Sequence, residues 1–399
     1  MEPRSSPGKA LALLLLVIGS VIFAFPFLWL VSTSLKPNEQ ATAMPPRWIP
    51  KAYSAPVGGE RVPVVKDHEI RSPSVIVRLT DGPRRGETVL IGREDCVDGK
   101  ARIPVAGRTV WMPAEHVKDV LPGWWYVVEK RAGLADLQIE TSARWDVVPA
   151  DQIEERIAPA WANYPEAIRY MDAARTASGV QETSRWPVFF VYLRNTLTVC
   201  VLGVVGTLFS CSLAAYSLSK IPWRGRGVLF AVTLATMMVP FPVLMVPLYG
   251  VFKTLGWIGT LKPLWVPAFL GSGFNIFLMR QFFLTIPKDL TEAARIDGCS
   301  ELGIFLRVVL PLSRPVLAVV ALFHFLFAWN DFMQPLLYLT RQDTFTLSLG
   351  LQFYQSQQGG TDWSHLMAAS TMVVVPIIVL FFFTQKTFIK GIATTGLKG

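Results

Sequence analysis

Residues 10–32 read ALALLLLVIGSVIFAFPFLWLVS and contain no charge. At about 1.5 Å per residue, such a run wound as a helix crosses a hydrocarbon core of roughly 30 Å. Arg4 and Lys9 precede it, as they would in a secretory leader. The run is long for a leader, however, and no A-x-A-like cleavage signal follows, so a membrane span is expected. Five more apolar stretches repeat the pattern downstream, at 196–218, 228–252, 263–284, 315–339 and 366–385. The stretch at 263–284 carries Arg280 near its end, where a snorkelling stem reaches the interface. The stretch at 315–339 carries His324 and Asp331.

Composition agrees. Apolar residues make up 51% of the 399 positions and charged residues 17%, where a soluble domain carries about 25% charge. Mean hydropathy is +0.39. The 29 Gly and 29 Pro show no period, and four scattered cysteines make no disulfide framework, so collagen, disorder and a disulfide scaffold are excluded. The expected fold class is an all-α polytopic membrane protein with six transmembrane helices. A small β-rich domain is expected between the first two.

Charge sets the orientation. The stretch 33–194 holds 22 Lys+Arg against 21 Asp+Glu, whereas the remainder holds 16 against 8. The surplus cations sit at Arg4 and Lys9, at Lys220, Arg224 and Arg226, between Lys288 and Arg314, and at Lys386, Lys390 and Lys398. With six helices all four groups fall on one side, which the positive-inside rule makes cytoplasmic, with both termini inside. The net charge of +9 thus reflects topology. No basic stripe interleaved with aromatics supports nucleic-acid binding.

The expected domains are 1–35 (first span with a cytoplasmic N-terminus), 36–188 (an extracytoplasmic segment) and 189–399 (five further spans). Within the second, Val75, Val77 and Leu79 alternate as in a half-buried strand. Asp81-Gly82-Pro83, Asp98-Gly99 and Ala106-Gly107 signal turns. Stretches 88–91, 101–105 and 109–112 read as short strands. After Trp124-Trp125-Tyr126 the pattern turns more helical, notably at 151–157. A β-barrel or β-sandwich of roughly 70 residues is the expectation. Cys96 has no partner in this segment. Cys200 and Cys211 lie about 16 Å apart along one helix, too far to bridge. His68, His116, His324 and His365 show no metal-ligand spacing, and His324 reads as a packed interhelical hydrogen-bonder.

Between the fourth and fifth spans, residues 292–315 read EAARIDGCSELGIFLRVVLPLSRP. This is a polar, helix-forming stretch. Pro287 suits a first helical position, and Asp289 and Glu292 suit the first turn. Ala294 and Gly298 are small and four apart, so one helix face could approach a groove closely. Gly298 is expected to end one short helix and precede a second, with Pro311 and Pro315 marking the return to the membrane. From the residues alone, a solvated loop with two helical turns explains it equally well.

The stretch resembles the EAA loop of binding-protein-dependent ABC importer permeases, through Glu292-Ala293-Ala294, Asp297-Gly298 and Leu310-Pro311. Residues 277–287 (FLMRQFFLTIP), 32–37 (STSLKP), Arg194-Asn195-Thr196-Leu197, Trp329-Asn330 and the tail from Phe388 to Gly399 resemble the maltose-transporter (MalG-type) sugar branch. The likeness covers both ends of the chain, about 290 residues. Cys299 stands where the family usually has Ala, and Pro242 where relatives often carry Gln or Glu. About 110 residues, roughly 51–159, are inserted between a Pro-Pro-x-Trp-Ile-Pro-like stretch at 45–50 and Asn163-Tyr164.

The resemblance implies a permease subunit of an ATP-driven importer in the bacterial inner membrane. Its solute would be carbohydrate, or alternatively a polyol or glycerol-phosphate. The loop 287–315 would dock on a partner ABC ATPase dimer, with Glu292 supplying charge or capping and Gly298 the turn. A second permease, as a heterodimer, and an extracytoplasmic solute-binding protein would complete the system. The chain itself has no Walker A motif: Gly8-Lys9 and Gly99-Lys100 are each followed by Ala. It is expected to be no enzyme and to bind no cofactor, ATP and Mg2+ residing in the partner. Pro240, Pro242, Asn275, Asn330 and Asp331 are pathway candidates. Pro240, Pro242 and Pro247 would kink or break the third helix, as is tolerated where a break lines a cavity. Asp331 could instead cap a helix at the outer interface. A membrane-anchored envelope module, with the insert as its working part, is the competing class.

Overall fold

A computed structural model describes residues 7–43, 46–105, 108–130, 144–177, 186–356 and 360–396. The Ala106-Gly107 turn, Arg4 and Lys398 lie outside these residues, as do the side chains of Lys9, Lys386 and Lys390. The chain divides into two units, 1–163 and 164–399.

The first unit opens with α1 (Pro7–Ser34), followed by the short α2 (Asn38–Ala41). Pro26 is accommodated inside α1. Beyond it the described residues form ten strands: β1 (Lys51–Val57), β2 (Glu60–Glu69), β3 (Ser74–Leu79), β4 (Thr88–Gly92), β5 (Cys96–Val97), β6 (Lys100–Val105), β7 (Arg108–Val120), β8 (Trp125–Glu129), β9 (Trp145–Val148) and β10 (Glu154–Ile157). They form two five-stranded sheets, ordered β10-β1-β2-β8-β9 and β4-β3-β7-β6-β5. Every pairing is antiparallel. Two hairpins close with two-residue turns at positive φ, Gly58-Gly59 (62° and 91°) and Asp98-Gly99 (48° and 71°). That geometry matches the twist of the flanking strands.

Each sheet has its own core. Tyr53, Ala55, Val57, Val64, Val127 and Val148 fill one; Val75, Val77, Leu79, Ala101, Ile103 and Met112 fill the other. Ile76, on the opposite face of β3, joins Ile70, Val120 and Val147 in a third cluster that links the sheets. Strand β3 is therefore buried on both faces rather than half-buried, which is why Val75-Ile76-Val77 is a continuous apolar run. The unit is also larger than the 70 residues expected. Residues 151–157 are not helical but form a one-turn 3-10 helix (Ala150–Gln152) and the edge strand β10.

The ends of the strand-rich stretch meet. Lys51 pairs with Ile157, and the Ala158 amide donates to the Pro50 carbonyl at 3.1 Å. Nearby, Asn163 donates to the carbonyls of Ser34 and Lys36, 2.8 Å each. Trp48 folds back onto α1, with its ring 5.0 Å from Phe25 and 4.9 Å from Trp29.

The second unit is mainly helical, with a short strand pair (Gln355–Ser356 and Gly360–Thr361), and the first residue of its first helix, Asn163, belongs to the first unit. It contains α3 (Asn163–Ala177), α4 (Val188–Lys220), α5 (Arg226–Thr236), α6 (Phe241–Thr254), α7 (Lys262–Trp265), α8 (Gly273–Thr285), α9 (Lys288–Ile296), α10 (Glu301–Ile304), α11 (Leu310–Leu312), α12 (Arg314–Asn330), α13 (Met333–Tyr338), α14 (Leu347–Gly350) and α15 (Trp363–Gly396). Helix α4 is central. Its Gly203 and Gly206 let His324 and Phe269 approach so closely that a Cβ at either would sit 2.5 Å from the ring.

Among the described residues, three helices are long and apolar enough to cross a membrane: Leu11–Ser34, Val188–Lys220 and Trp363–Gln385. Three bent pairs raise the number to as many as six if each is one span. The third expected span is one of these, α5 and α6 meeting at 98°. Pro240 caps α6 and Pro242 lies in its first turn, whereas Pro247 sits inside α6 without breaking it. The fifth expected span also divides: α12 ends at Asn330, and α13 begins two residues after Asp331.

Candidate functional site: the loop between α8 and α12

The loop begins at Pro287, which is the N-cap residue of α9 rather than its first helical residue. Asp289 lies in the first turn, favourable beside the positive helix end. The helix closes in a Schellman motif. The Gly298 amide donates to the Arg295 carbonyl and the Cys299 amide to the Ala294 carbonyl, each at 3.0 Å. Gly298 has φ +79°, and nothing lies within 4 Å of where its Cβ would be. Glycine is required there by conformation, not by space. Asp297 is the C-cap, its amide bonded to the Ala293 carbonyl.

Ser300 then caps α10, its hydroxyl accepting from the Gly303 amide at 3.2 Å. A π-helical turn, Phe305–Val309, leads into α11. Leu310-Pro311 explains the wide turn. A proline leaves the carbonyl four residues back without its bond and crowds it, and the wider turn opens that space. Pro315 occupies the first turn of α12.

The two faces of α9 differ. Thr291 and Ala294 are buried, three apart. Ala294, Ile304, Phe305 and Val309 belong to one core with Tyr216 of α4, Met279 and Phe283 of α8, and Val316 and Val320 of α12. The other face carries Glu292 and Ala293, both exposed, and Ile296, 87% exposed. Beyond the turn Leu302 is 61% exposed.

Glu301 ties this arrangement together. Its Oε1 accepts from Arg295 Nε at 2.8 Å and its Oε2 from the Tyr216 hydroxyl at 2.7 Å. One carboxylate thus links α9, α10 and α4. The hydrogen bond from Arg295, then that from Tyr216, holds the Glu301 carboxyl below the usual carboxylate range. Arg280 and Lys220 add ties between α4 and α8, donating to the carbonyls of Leu218 (3.2 Å) and Ile286 (2.6 Å). Sequence reading missed Tyr216, Arg295, Ser300 and Glu301. The available signal was a Tyr near the end of an apolar helix and a Ser-Glu pair one residue after the Asp-Gly turn.

The expected pathway residues are placed differently. Pro240 and Pro242 are exposed at the α5–α6 break, Asn275 is buried in α8, and Asn330 is exposed at the end of α12. The Asn330 side chain donates back to the Leu326 carbonyl at 2.8 Å. Asp331 accepts from the Gln334 amide in the first turn of α13 at 3.2 Å, just before the N-cap position Phe332, while its carbonyl accepts from Ser348 at 2.6 Å. Among the described residues no hydrogen bond joins any two of these five. His324 Nδ1 pairs with the Thr207 hydroxyl at 3.0 Å, which ties α12 to α4.

Residues 206–394 match the binding-protein-dependent transport system inner membrane components. Over 212 residues the chain is 37% identical to the arabinooligosaccharides transport system permease protein AraQ of Halalkalibacterium halodurans, covering 53% of this chain and 75% of that one. The chain belongs to this family of ABC importer permeases. The trehalose/maltose transport system permease protein MalG of Thermococcus litoralis is 33% identical over 53% of this permease and 76% of its own length. The alpha-glucoside transport system permease protein AglG of Rhizobium meliloti is 31% identical, over 51% and 56%. A solved bacterial ABC transporter involved in import of the acidic polysaccharide alginate aligns at 25% identity and TM-score 0.47, over 56% of this permease and 90% of that chain. These three relatives are sugar permeases, and the loop of α9 and α10 lies inside the family match.

Proposed function

We propose that this permease forms one half of the translocation pathway of an ATP-driven carbohydrate importer, and that residues 287–315 couple it to a partner ATPase dimer. The carrying observation is the division of the loop into two faces. Its buried face is part of the same core as α4, α8 and α12, so a push on the exposed Glu292, Ala293 and Ile296 is delivered to three helices at once. Closely packed cores move between discrete arrangements and do not deform continuously, which favours a rigid-body switch between outward and inward access.

In this reading the chain crosses the inner membrane six times, α5 with α6, α7 with α8, and α12 each supplying a span beside the three long helices, with both termini and the loop helices α9–α11 in the cytoplasm. The β-rich unit is then extracytoplasmic and assists docking of a solute-binding protein. A second permease completes the pathway, and ATP and Mg2+ bind only in the ATPase. Pro240, Pro242 and Asn275 remain proposed as pathway-lining. Asn330 and Asp331, at the α12–α13 break, remain proposed with them.

The test is site-directed cross-linking in native membranes. Cysteine at Ala293 or Ile296 is expected to cross-link to an ATPase subunit, with a yield that changes on ATP binding. Cysteine at Leu255, exposed just beyond α6 and outside the loop, serves as the comparison. Equal yields at all three sites, or no ATPase adduct, would sink the coupling assignment.

A further inference from the structure

The β-rich unit holds a cavity of about 340 Å³ beside the end of α1. Its floor is formed by strands β1, β2 and β8, and its rim includes Pro37, Glu39 and Gln40, which follow the α1 span. Four cationic side chains line it, Arg47, Lys51, Lys66 and Lys130. Glu39 and Asp67 are the carboxylates in its wall, and Asp67 is engaged by the His68 ring at 2.7 Å.

The cations are unequally satisfied. Lys51 pairs with Glu155. Lys66 lies between two aromatic faces, 4.8 Å from the ring centres of Tyr53 and Trp125. No ion pair to Lys66, Lys130 or Arg47 forms among the described residues. Burial pushes the Lys66 ammonium below its ordinary pKa, with Glu155 acting in the opposite sense. Arg47 donates one N–H to the Tyr53 hydroxyl at 2.5 Å. Its guanidinium carries five donors, so most of the fork is left for another acceptor. A pocket of this size with converging cations and aromatic walls fits a compact anionic group.

Position narrows the source. The segment that carries Arg47 folds back along α1: the Ser32 hydroxyl bonds to the Trp48 carbonyl, and Trp48 packs on Phe25 and Trp29. Aromatic clusters of this kind sit at headgroup depth. Lys36, over the Trp29 ring at 3.9 Å, marks the same level. The cavity mouth is therefore at the membrane surface, where lipid phosphates are concentrated.

We propose that this cavity seats the phosphate of an anionic phospholipid headgroup, fixing the β-rich unit against the bilayer beside α1. The inference needs only that α1 crosses a membrane and is independent of the coupling loop. Its test measures binding, not transport, so the two fail separately.

The full chain in detergent is titrated with short-chain phosphatidylglycerol, short-chain phosphatidylcholine and inorganic phosphate, with occupancy read by native mass spectrometry. Phosphatidylglycerol is expected to bind at least tenfold more tightly than phosphatidylcholine. Lys66→Gln and Arg47→Gln are each expected to weaken it about tenfold, and Arg108→Gln, a charge-matched change on β7, to leave it unaltered. Lys130→Gln, on the exposed rim, gives the same readout if the other variants misfold, as judged by thermal melting. Equal binding of the two lipids, or equal loss in Arg108→Gln, would overturn the site. Tight binding of inorganic phosphate without a preference for the anionic lipid would overturn the lipid assignment in favour of a soluble anion.

Discussion

The Tyr216 hydroxyl donates to Glu301 at 2.7 Å, across 85 positions of sequence, while Arg295 holds the other carboxylate oxygen at 2.8 Å. The tie joins a buried ring on the central helix α4 to the first residue of α10. It fixes the angle at which the loop leaves the core, and Phe305 packs on the same ring at 5.1 Å.

Tyr216→Phe keeps the ring and removes only the donor. A hydrogen bond to a charged acceptor contributes about 1.5–3 kcal/mol, and the solvent exposure of Glu301 lowers that to about 1 kcal/mol. The permease should remain folded and assembled. Uptake into proteoliposomes should fall several-fold while ATP hydrolysis by the assembled complex is retained. Parallel loss of both, or of neither, would show that the tie does not transmit motion.

Glu301 also predicts a pH dependence. Its folded pKa lies below the unfolded value of about 4.3. The stability it contributes is therefore fully present above the unfolded value and lost as pH falls through the folded one. Wild type should exceed Glu301→Gln in melting temperature at pH 6, and the gap should close progressively below about pH 4.3. A gap that persists unchanged to pH 3 would mean the carboxylate charge is not what stabilises the loop.

Much of this loop was legible because its signals are local. Asp297-Gly298 is a helix stop that acts within a few residues; Ser300 is a start signal of the same local kind, and it was overlooked. The tie to Tyr216 was not legible, since nothing near Glu301 names a partner on another helix. The same physics explains the misread strand β10. Glu154-Glu155-Arg156-Ile157 is exposed throughout, and its charges suit a sheet edge as well as a helix. What decides it is pairing with Lys51–Ser54, about a hundred residues earlier. The break at Pro240 was readable from proline chemistry, but not the 98° angle, which depends on what α5 and α6 pack against.

Gly298→Ala should destabilise the loop without a steric clash, because the space around the position is open. A non-glycine residue in the left-handed region costs about 1–2 kcal/mol. Gly298→Asn should cost less, since Asn tolerates this conformation. Thermal melts of the two variants should rank Gly, Asn, Ala in falling order. Equal values for Asn and Ala would indicate that the turn adopts another conformation.

Removal of 51–157 should leave a membrane protein that still folds. Pro50 and Ala158 already meet through a backbone hydrogen bond, so joining them requires little rearrangement. Within the first unit, Asn163 reaches Ser34 and Lys36 through contacts that involve none of the deleted residues. The sheets carry their own cores in Val57, Val64, Val77 and Ile103 and take those cores with them. Membrane insertion and assembly with the ATPase should therefore survive the deletion, as read by protease protection and co-purification. Affinity of the complex for its solute-binding protein should fall, and uptake at limiting binding protein should fall with it. Restoring uptake by raising the binding-protein concentration would assign the β-rich unit to docking. Unchanged affinity would remove it from docking and leave membrane attachment as its role.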